Sequence, residues 1–101
     1  MSVSDAVFEA LANETRRRLI VCLDDSDSAT VDVSTLCSAL GGDDETMVRL
    51  YHAHLPLLAD RGFVRWTPST NAVSPGPRFE DLTPVLSRVD DSVAENSLVE
   101  D

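Results

Sequence analysis

The chain has 101 residues, enough for one domain with a single core. Apolar residues make up 43% and charged residues 26%, which excludes a wholly disordered chain, a collagen-like repeat and a membrane-spanning protein. The net charge is −10, and all 8 basic residues are arginine. Such an acidic surface suits a cytoplasm with molar salt, where the Debye length falls to about 3 Å. We therefore expect a halophilic cytoplasmic protein, with an acidic mesophilic domain as the alternative.

The two cysteines, Cys22 and Cys37, do not form a CxxC pair, and two thiols cannot complete a four-ligand metal site. Both lie in apolar stretches, so we predict reduced core cysteines. The sequence predicts no bound metal and no other cofactor.

Two helices are predicted at the start of the chain. Residues 5–12 carry apolar side chains at helical spacing and predict the first helix. Asn13 is a good cap for a second helix, from Glu14 to about Leu23. Its apolar residues face inward, whereas the three arginines at residues 16–18 lie near the other side.

A β-like stretch and a third, shorter helix come next. The stretch covers Thr30 to Val33. Ser34 is a suitable cap for a helix from Thr35 to Leu40, which two glycines then end.

The fourth helix gives the longest helical signal in the chain. Asp43 or Asp44 can cap it, and Gly62 ends it. Pro56 lies opposite its apolar stripe and removes the hydrogen bond to the carbonyl of His52, which predicts a kink. The apolar stripe, at steps of three and four residues, consists of Met47, Leu50, Tyr51, His54, Leu55 and Leu58.

A small β-hairpin follows the fourth helix. Phe63 to Thr67 alternates like a strand, residues 68–71 form the turn, and Ala72 to Ser74 is a weak return strand.

The last predicted helix runs from about Phe79 to Val89, with apolar residues at steps of three and four. Alternatively it starts near Thr83, with Pro84 in its first turn. Residues 90–101 contain five acids and no base, which predicts a disordered acidic tail.

This order of elements is that of a winged helix-turn-helix domain, a mostly α fold with a small β-hairpin (α+β). The third and fourth helices would form the turn motif and the hairpin the wing, with an extra C-terminal helix. We assign this domain to residues 1–89.

Two stretches resemble the ArsR-type winged-helix regulators. One is Phe8-Glu-Ala-Leu-Ala-Asn-Glu-Thr-Arg-Arg-Arg-Leu-Ile20, similar to that family's opening alanine-leucine pair and capped Thr-Arg. The other is His54-Leu-Pro-Leu-Leu58 with Arg61-Gly-Phe-Val64, which is similar to the exit of its recognition helix. The spacing is also similar to that of short acidic winged-helix domains of halophilic archaea. The resemblance implies a winged-helix fold and a DNA-binding transcriptional regulator.

The outer face of the fourth helix is predicted to read bases, because that helix enters the major groove in this fold. Arginine can pair bidentately with guanine, and threonine can bond a base or contact a thymine methyl group. Arginines 16–18 could add contacts, although Arg16 suits a structural role equally. The predicted DNA-binding residues are Thr46, Arg49, His52, Ala53, Arg61, Arg65, Ser69, Thr70 and Asn71. A solvated helix face without a ligand is the alternative.

Charge opposes DNA binding, although residues 43–66 carry a net charge of only −1. In molar salt a DNA-binding protein must rely on base contacts and shape rather than on phosphate charge. His54 falls on the apolar stripe, so we expect a core histidine with a hydrogen-bond partner.

Metal-sensing ArsR proteins place two cysteines one residue apart in the third helix. This chain has Cys37 followed by Ala39 at those positions, and no histidine in its last helix. We predict no metal response.

The sequence thus predicts a sequence-specific DNA-binding regulator that acts as a homodimer, because operators are read as paired half-sites. The alternative is a winged-helix module that binds another protein and no DNA, suggested by the acidic helix start and the uncharged wing. No nucleophile and base have a suitable spacing, so we do not expect an enzyme. The predicted dimer interface consists of Val7, Phe8, Leu11, Leu82, Val85, Leu86 and Val89.

Overall fold

The structure is a computed structural model, in which residues 3–86 are described. Within these residues the chain is mostly helical, with a small antiparallel sheet of three strands, which confirms the predicted α+β class. No helix in this part of the chain is long and apolar enough to cross a membrane. The predicted contact at Val89 and the predicted tail of residues 90–101 lie outside the described residues.

The first two helices are close to their predicted bounds. Helix α1 covers Val3–Leu11 and helix α2 covers Glu14–Asp25. The Asn13 side chain caps α2, because its oxygen accepts a hydrogen bond from the backbone N–H of Arg16 at 3.1 Å.

Strand β1 (Val31–Asp32) leads directly into helix α3 (Val33–Ala39). Ser34 therefore lies inside the helix, and the prediction that it caps α3 is wrong. Asp32 occupies the cap position instead, with an extended backbone, and its carboxylate accepts a hydrogen bond from the Ser34 hydroxyl at 3.0 Å.

The fourth predicted helix is continuous but irregular. It consists of α4 (Asp44–Arg49), a π turn (Leu50–His54) and α5 (Leu55–Asp60), which together we name the helical segment 44–60. Asp43 caps its start, since its carboxylate accepts a hydrogen bond from the backbone N–H of Thr46 at 2.8 Å.

The π turn accommodates the proline inside the helical segment 44–60. In a regular α-helix the Pro56 ring would clash with the carbonyl of His52, and proline has no N–H to donate. Here the N–H of Leu55 donates to the carbonyl of Leu50, five residues back rather than four. The wider π turn accommodates Pro56, for which the sequence predicted a kink.

Gly62 ends the helical segment 44–60 as predicted. Its φ of 80° lies in the left-handed region that glycine adopts without steric penalty. Its N–H donates to the carbonyl of Ala59 at 3.1 Å, and the N–H of Phe63 donates to that of Leu58 at 2.9 Å. This Schellman arrangement turns the chain directly into the hairpin.

The predicted hairpin is confirmed and is joined by a third strand. Strands β2 (Val64–Thr67) and β3 (Ala72–Pro75) are antiparallel, with Trp66 opposite Val73. The predicted β-like stretch, β1, pairs with the other edge of β3 and places Val31 opposite Val73. The strand order is β1-β3-β2.

The C-terminal part differs from the helix predicted to start at Phe79. A 3-10 turn covers Phe79–Asp81, and residues 83–86 are helical. The alternative start near Thr83 is therefore the correct one, because Pro84 then lies in a first turn, where no N–H is needed.

The core consists of apolar side chains from α1, α2, α3, the π turn, α5, the C-terminal turns and the sheet, and Met47 of α4 packs against it. It includes four of the seven residues predicted to form a dimer interface, and that interface stays a prediction. Packing within one chain already covers them, so they have almost no surface to offer a second copy. Phe8 stays 62% exposed and Val85 is half-buried. The four core residues are Val7, Leu11, Leu82 and Leu86.

Candidate nucleic-acid interface

One side of the helical segment 44–60 is open to solvent. Four exposed residues lie on this side, and those on neighbouring turns are three or four positions apart: Glu45, Val48, Arg49 and His52. The exposed fraction is 73% for the Glu45 side chain, 55% for Val48 and 64% for the Arg49 side chain. These four side chains form what we name the outer face, and no part of residues 3–86 covers it.

An ion pair lies within the outer face. Arg49 Nη2 is 2.8 Å from Glu45 Oε1, one helical turn earlier. Exposed pairs at this spacing stabilise a helix by only about 0.3–0.5 kcal/mol. Its main consequence is therefore geometric: the carboxylate restrains the guanidinium, while its other N–H groups remain free.

Two predicted DNA-binding residues lie at the edges of the outer face. Thr46 is half-buried, and its backbone N–H is bonded to the Asp43 carboxylate. Hydrogen bonds from Thr46, first from its side chain and then from its backbone, hold the pKa of the Asp43 carboxyl below its ordinary value. Ala53 is exposed on the other edge.

The hairpin tip is attached to the helical segment 44–60. The Tyr51 hydroxyl donates to the Asn71 amide oxygen at 2.6 Å. The Tyr51 and Trp66 rings pack with their centroids 5.7 Å apart. The indole N–H of Trp66 is buried, and no hydrogen-bond partner for it lies within the described residues. The tip therefore has a defined position beside the helix.

The remaining hairpin residues predicted to contact DNA are exposed. Arg65, Ser69 and Thr70 all point into solvent, and the Thr70 hydroxyl bonds the carbonyl of Thr67 at 3.3 Å. Asn71 has a φ of 56°, in the left-handed region that asparagine tolerates, and its amide oxygen is taken by Tyr51. Only its NH₂ group remains free to donate a hydrogen bond to a phosphate.

Arg61 does not have the free side chain that the prediction assumed. Its guanidinium lies 3.0 Å from the carboxylate of Glu9 and 2.6 Å from that of Asp60. Arg61 therefore joins the end of α5 to α1, and its DNA contact stays a prediction.

Arg16 likewise has a structural role, one of the two that the sequence analysis left open. Its Nε donates to the carbonyl of Ala10 at 2.9 Å, and its Nη2 to that of Glu9 at 2.8 Å. These carbonyls belong to the last turn of α1, where the usual α-helical partners are missing, and only the N–H of Ala12 approaches the carbonyl of Glu9, at 3.4 Å. Burial lowers the pKa of the Arg16 guanidinium, and the charge of Glu9 partly opposes this.

The two following arginines also bond carbonyls at helix ends. Arg17 donates to Leu11 at 2.7 Å, and Arg18 donates to Ala39 at 3.2 Å. Each arginine of residues 16–18 thus makes a contact within the chain, and the DNA contacts suggested for them stay a prediction.

His54 is a core histidine, as predicted, with 4% of its surface exposed. Its Nδ1 lies 3.4 Å from Nη1 of Arg16 and accepts that hydrogen bond, so the proton of the neutral ring is on Nε2. Burial, and then the positive charges of Arg16 and Arg49, lower the pKa of His54.

Within residues 3–86, no group of three His, Cys, Asp or Glu side chains is arranged to hold a metal ion. The two cysteines are free thiols, with Cys37 buried and Cys22 half-buried. Cys37 Sγ lies 3.7 Å from the carbonyl of Asp43.

Val48, like Glu45, is an outer-face residue that is not among the predicted DNA-binding residues. It lies three residues after Glu45 and one before Arg49, so helical spacing alone would have placed it there. An apolar residue on a polar helix face was the available signal.

The geometry is that of an α+β domain with an exposed helical face beside an anchored β-hairpin. Residues 8–74, more than half of the chain, match the family described as "Domain of unknown function (DUF7344)". The chain belongs to this family. No curated protein and no solved structure matches the chain.

Proposed function

We propose that this protein is a sequence-specific DNA-binding transcriptional regulator with an ArsR-like winged helix-turn-helix fold. In this assignment α3 and the helical segment 44–60 are the turn motif, and the β2–β3 hairpin is the wing. The observation that carries the proposal is the uncovered outer face of that helical segment. A helix with a free face can enter a major groove, and a hairpin fixed beside it can contact the neighbouring backbone.

The chemistry of the outer face suits contacts with bases. Arg49 can donate two parallel hydrogen bonds to guanine, and His52 can donate to or accept from a base edge. At the hairpin tip, the hydroxyl groups of Ser69 and Thr70 can bond phosphates without adding charge.

The acidic start of the helical segment 44–60 sets the conditions for binding. Asp43, Asp44 and Glu45 would repel phosphates in dilute salt. In the molar salt of a halophile's cytoplasm, screening acts over about 3 Å, so that repulsion is small and base contacts dominate. The protein would bind as a homodimer, with exposed Phe8 and half-buried Val85 as the remaining apolar candidates for the contact between subunits.

Selection of bound fragments from a random DNA library in molar KCl tests the proposal. We expect enrichment of a defined half-site, repeated as a palindrome, and loss of that preference in Arg49→Ala. Arg18→Ala removes the same charge away from the outer face and is the matched control, expected to keep the preference. Equal binding to all sequences, or no binding at any salt concentration, would overturn the assignment.

A protein-binding module is the second candidate, and exposed Val48 favours it. An apolar residue 55% exposed among charged neighbours also suits a contact with another protein. Affinity capture in molar salt that returns one defined protein, together with failed DNA selection, would favour this candidate.

A further inference from the structure

Three outer-face residues carry a more specific inference, which rests on the proposed function. We propose that the protein recognises a half-site in which a guanine pair is next to a thymine pair. Arg49 donates to the guanine, Glu45 positions Arg49, and Val48 contacts the 5-methyl group of the thymine. Glu45 is thus a positioning residue, and Val48 a specificity-determining residue that the sequence analysis did not select.

The exposed side chain of Val48 is the reason for proposing a thymine in the half-site. It and Phe8 are the large apolar side chains that stay exposed within the described residues. In the major groove, the 5-methyl group of thymine is the apolar group that a base pair presents. Valine is short and has one strongly preferred rotamer in a helix, so it loses little conformational freedom on contact. A valine at the centre of a groove-reading face therefore fits a thymine methyl group better than any other base edge.

The Glu45 and Arg49 pair indicates the guanine. The guanidinium has five N–H groups, and the 2.8 Å contact with Glu45 uses one of them on Nη2. One edge of the planar fork therefore stays free to donate in parallel to O6 and N7 of guanine. The carboxylate also restricts the side chain before DNA arrives, so less rotamer entropy is lost on binding.

The spacing of the two residues places the two bases side by side. Val48 and Arg49 are consecutive, and consecutive Cα atoms are about 3.8 Å apart. Neighbouring bases along one DNA strand are about 3.4 Å apart along the axis. The separation of the two Cα atoms is thus close to that of adjacent base pairs, which is the arrangement we propose.

Chemically modified operators test each contact separately. Uracil in place of the thymine removes only the methyl group, and should weaken binding of the unaltered protein about fourfold. Val48→Ala should bind the thymine and uracil operators equally. Replacing guanine with 7-deazaguanine removes the N7 acceptor, and should weaken binding of the unaltered protein several-fold but leave that of Arg49→Ala unchanged.

The positioning role of Glu45 is tested by measuring affinity and guanine discrimination separately. Glu45→Gln removes a negative charge from a surface that faces phosphates, so total affinity should be kept or rise. The discrimination between guanine and 7-deazaguanine should nevertheless decrease, because Arg49 is no longer restrained. Asp44→Asn removes the adjacent charge without touching Arg49, and should raise affinity with guanine discrimination unchanged. All four substitutions are at exposed positions, and circular dichroism establishes that each variant is folded.

The outcomes separate this inference from the proposed function. If no DNA sequence is selected, or the protein binds only another protein, the proposed function fails and the inference with it. If a half-site is selected but lacks a guanine next to a thymine, the inference alone is overturned. The same holds if uracil substitution affects the protein and Val48→Ala equally, or if Glu45→Gln keeps full guanine discrimination.

Discussion

The Tyr51 hydroxyl donates a hydrogen bond to the side-chain oxygen of Asn71, with 2.6 Å between the two oxygens. The two residues are 20 positions apart, one in the π turn and the other at the hairpin tip. Packing of the Tyr51 ring against Trp66 adds a second contact between the same elements. The helical segment 44–60 and the hairpin therefore form one rigid surface rather than two independent ones.

Tyr51→Phe should test the hydrogen bond alone, because it keeps the ring contact with Trp66. Loss of an exposed hydrogen bond should lower the free energy of unfolding by about 0.5–1.5 kcal/mol, measured by urea denaturation. Hydrogen exchange of the hairpin amides should also become faster. Ser69→Ala, at the same exposed tip, is the control and should change neither quantity. Unchanged exchange in Tyr51→Phe would show that the bond does not hold the hairpin.

Arg16→Ala should destabilise the protein, because the carbonyl of Ala10 loses its side-chain donor and that of Glu9 keeps only the longer contact with the N–H of Ala12. An unpaired, partly buried acceptor costs about 1–3 kcal/mol. We therefore expect the free energy of unfolding, measured by urea denaturation, to fall by about 2 kcal/mol. Arg65→Ala removes an exposed arginine from β2 and should cost less than about 0.5 kcal/mol. Equal stability of the two variants would contradict the structural role of Arg16.

Stability should fall in mild acid because His54 is held neutral. Burial lowers its pKa in the folded chain, whereas the unfolded chain has the ordinary value of about 6.5. The unfolded state therefore binds the proton more readily, so the free energy of unfolding is largest above pH 6.5 and decreases as the pH falls below it. Urea denaturation between pH 8 and about pH 5 measures this decrease, and the range stays above the ordinary carboxyl pKa values.

His54→Gln is the comparison for the acid effect, because glutamine keeps an acceptor for Arg16 but does not titrate. This substitution should remove most of the decrease in the free energy of unfolding between pH 7 and about pH 5. His52→Gln replaces an exposed histidine two residues earlier and should leave the decrease intact. A pH profile that is the same in both variants would exclude His54 as its source.

Gly76→Ala should be strongly destabilising, although residue 76 is in a connection rather than a helix or strand. An added Cβ would lie 2.6 Å from the carbonyl oxygen of Gly62 and 3.0 Å from the carbonyl carbons of Phe63 and Val64. All three are backbone atoms, so the contact cannot be relieved by a side-chain rotation. We expect a loss of about 1–3 kcal/mol in thermal or urea denaturation.

Ser69→Ala is a suitable comparison for Gly76→Ala, since it also changes a loop residue but at an exposed site. Its effect should stay within about 0.5 kcal/mol. If Gly76→Ala were as stable as the unaltered chain, residue 76 could not lie as close to the carbonyl of Gly62 as the structure places it.

Local sequence determined the elements and many of their ends. Asn13 and Asp43 cap helices because a short side-chain oxygen reaches the N–H of the third residue after it. Gly62 ends the helical segment 44–60 because glycine adopts positive φ without strain. These effects act within a few residues, so they could be predicted from spacing alone. The exposure of Arg49 and His52 followed in the same way from helical periodicity.

Tertiary structure decided which polar side chains remain free. Arg16 contacts His54, 38 residues later, and Arg61 contacts Glu9, 52 residues earlier. Nothing in the local pattern distinguishes these arginines from Arg49, because all three are charged residues within predicted helices. Their partners are carbonyls and carboxylates that only the packing of α1 against α2 and α5 brings within reach.

The same limit applies to the apolar residues. Periodicity showed that Val7, Leu11, Leu82 and Leu86 face an apolar environment, but not whether that environment is the chain's own core or a second subunit. Hydrophobic burial has no direction and depends only on the area removed from water. The sequence by itself therefore determined which residues avoid water, and the folded arrangement decided what covers them.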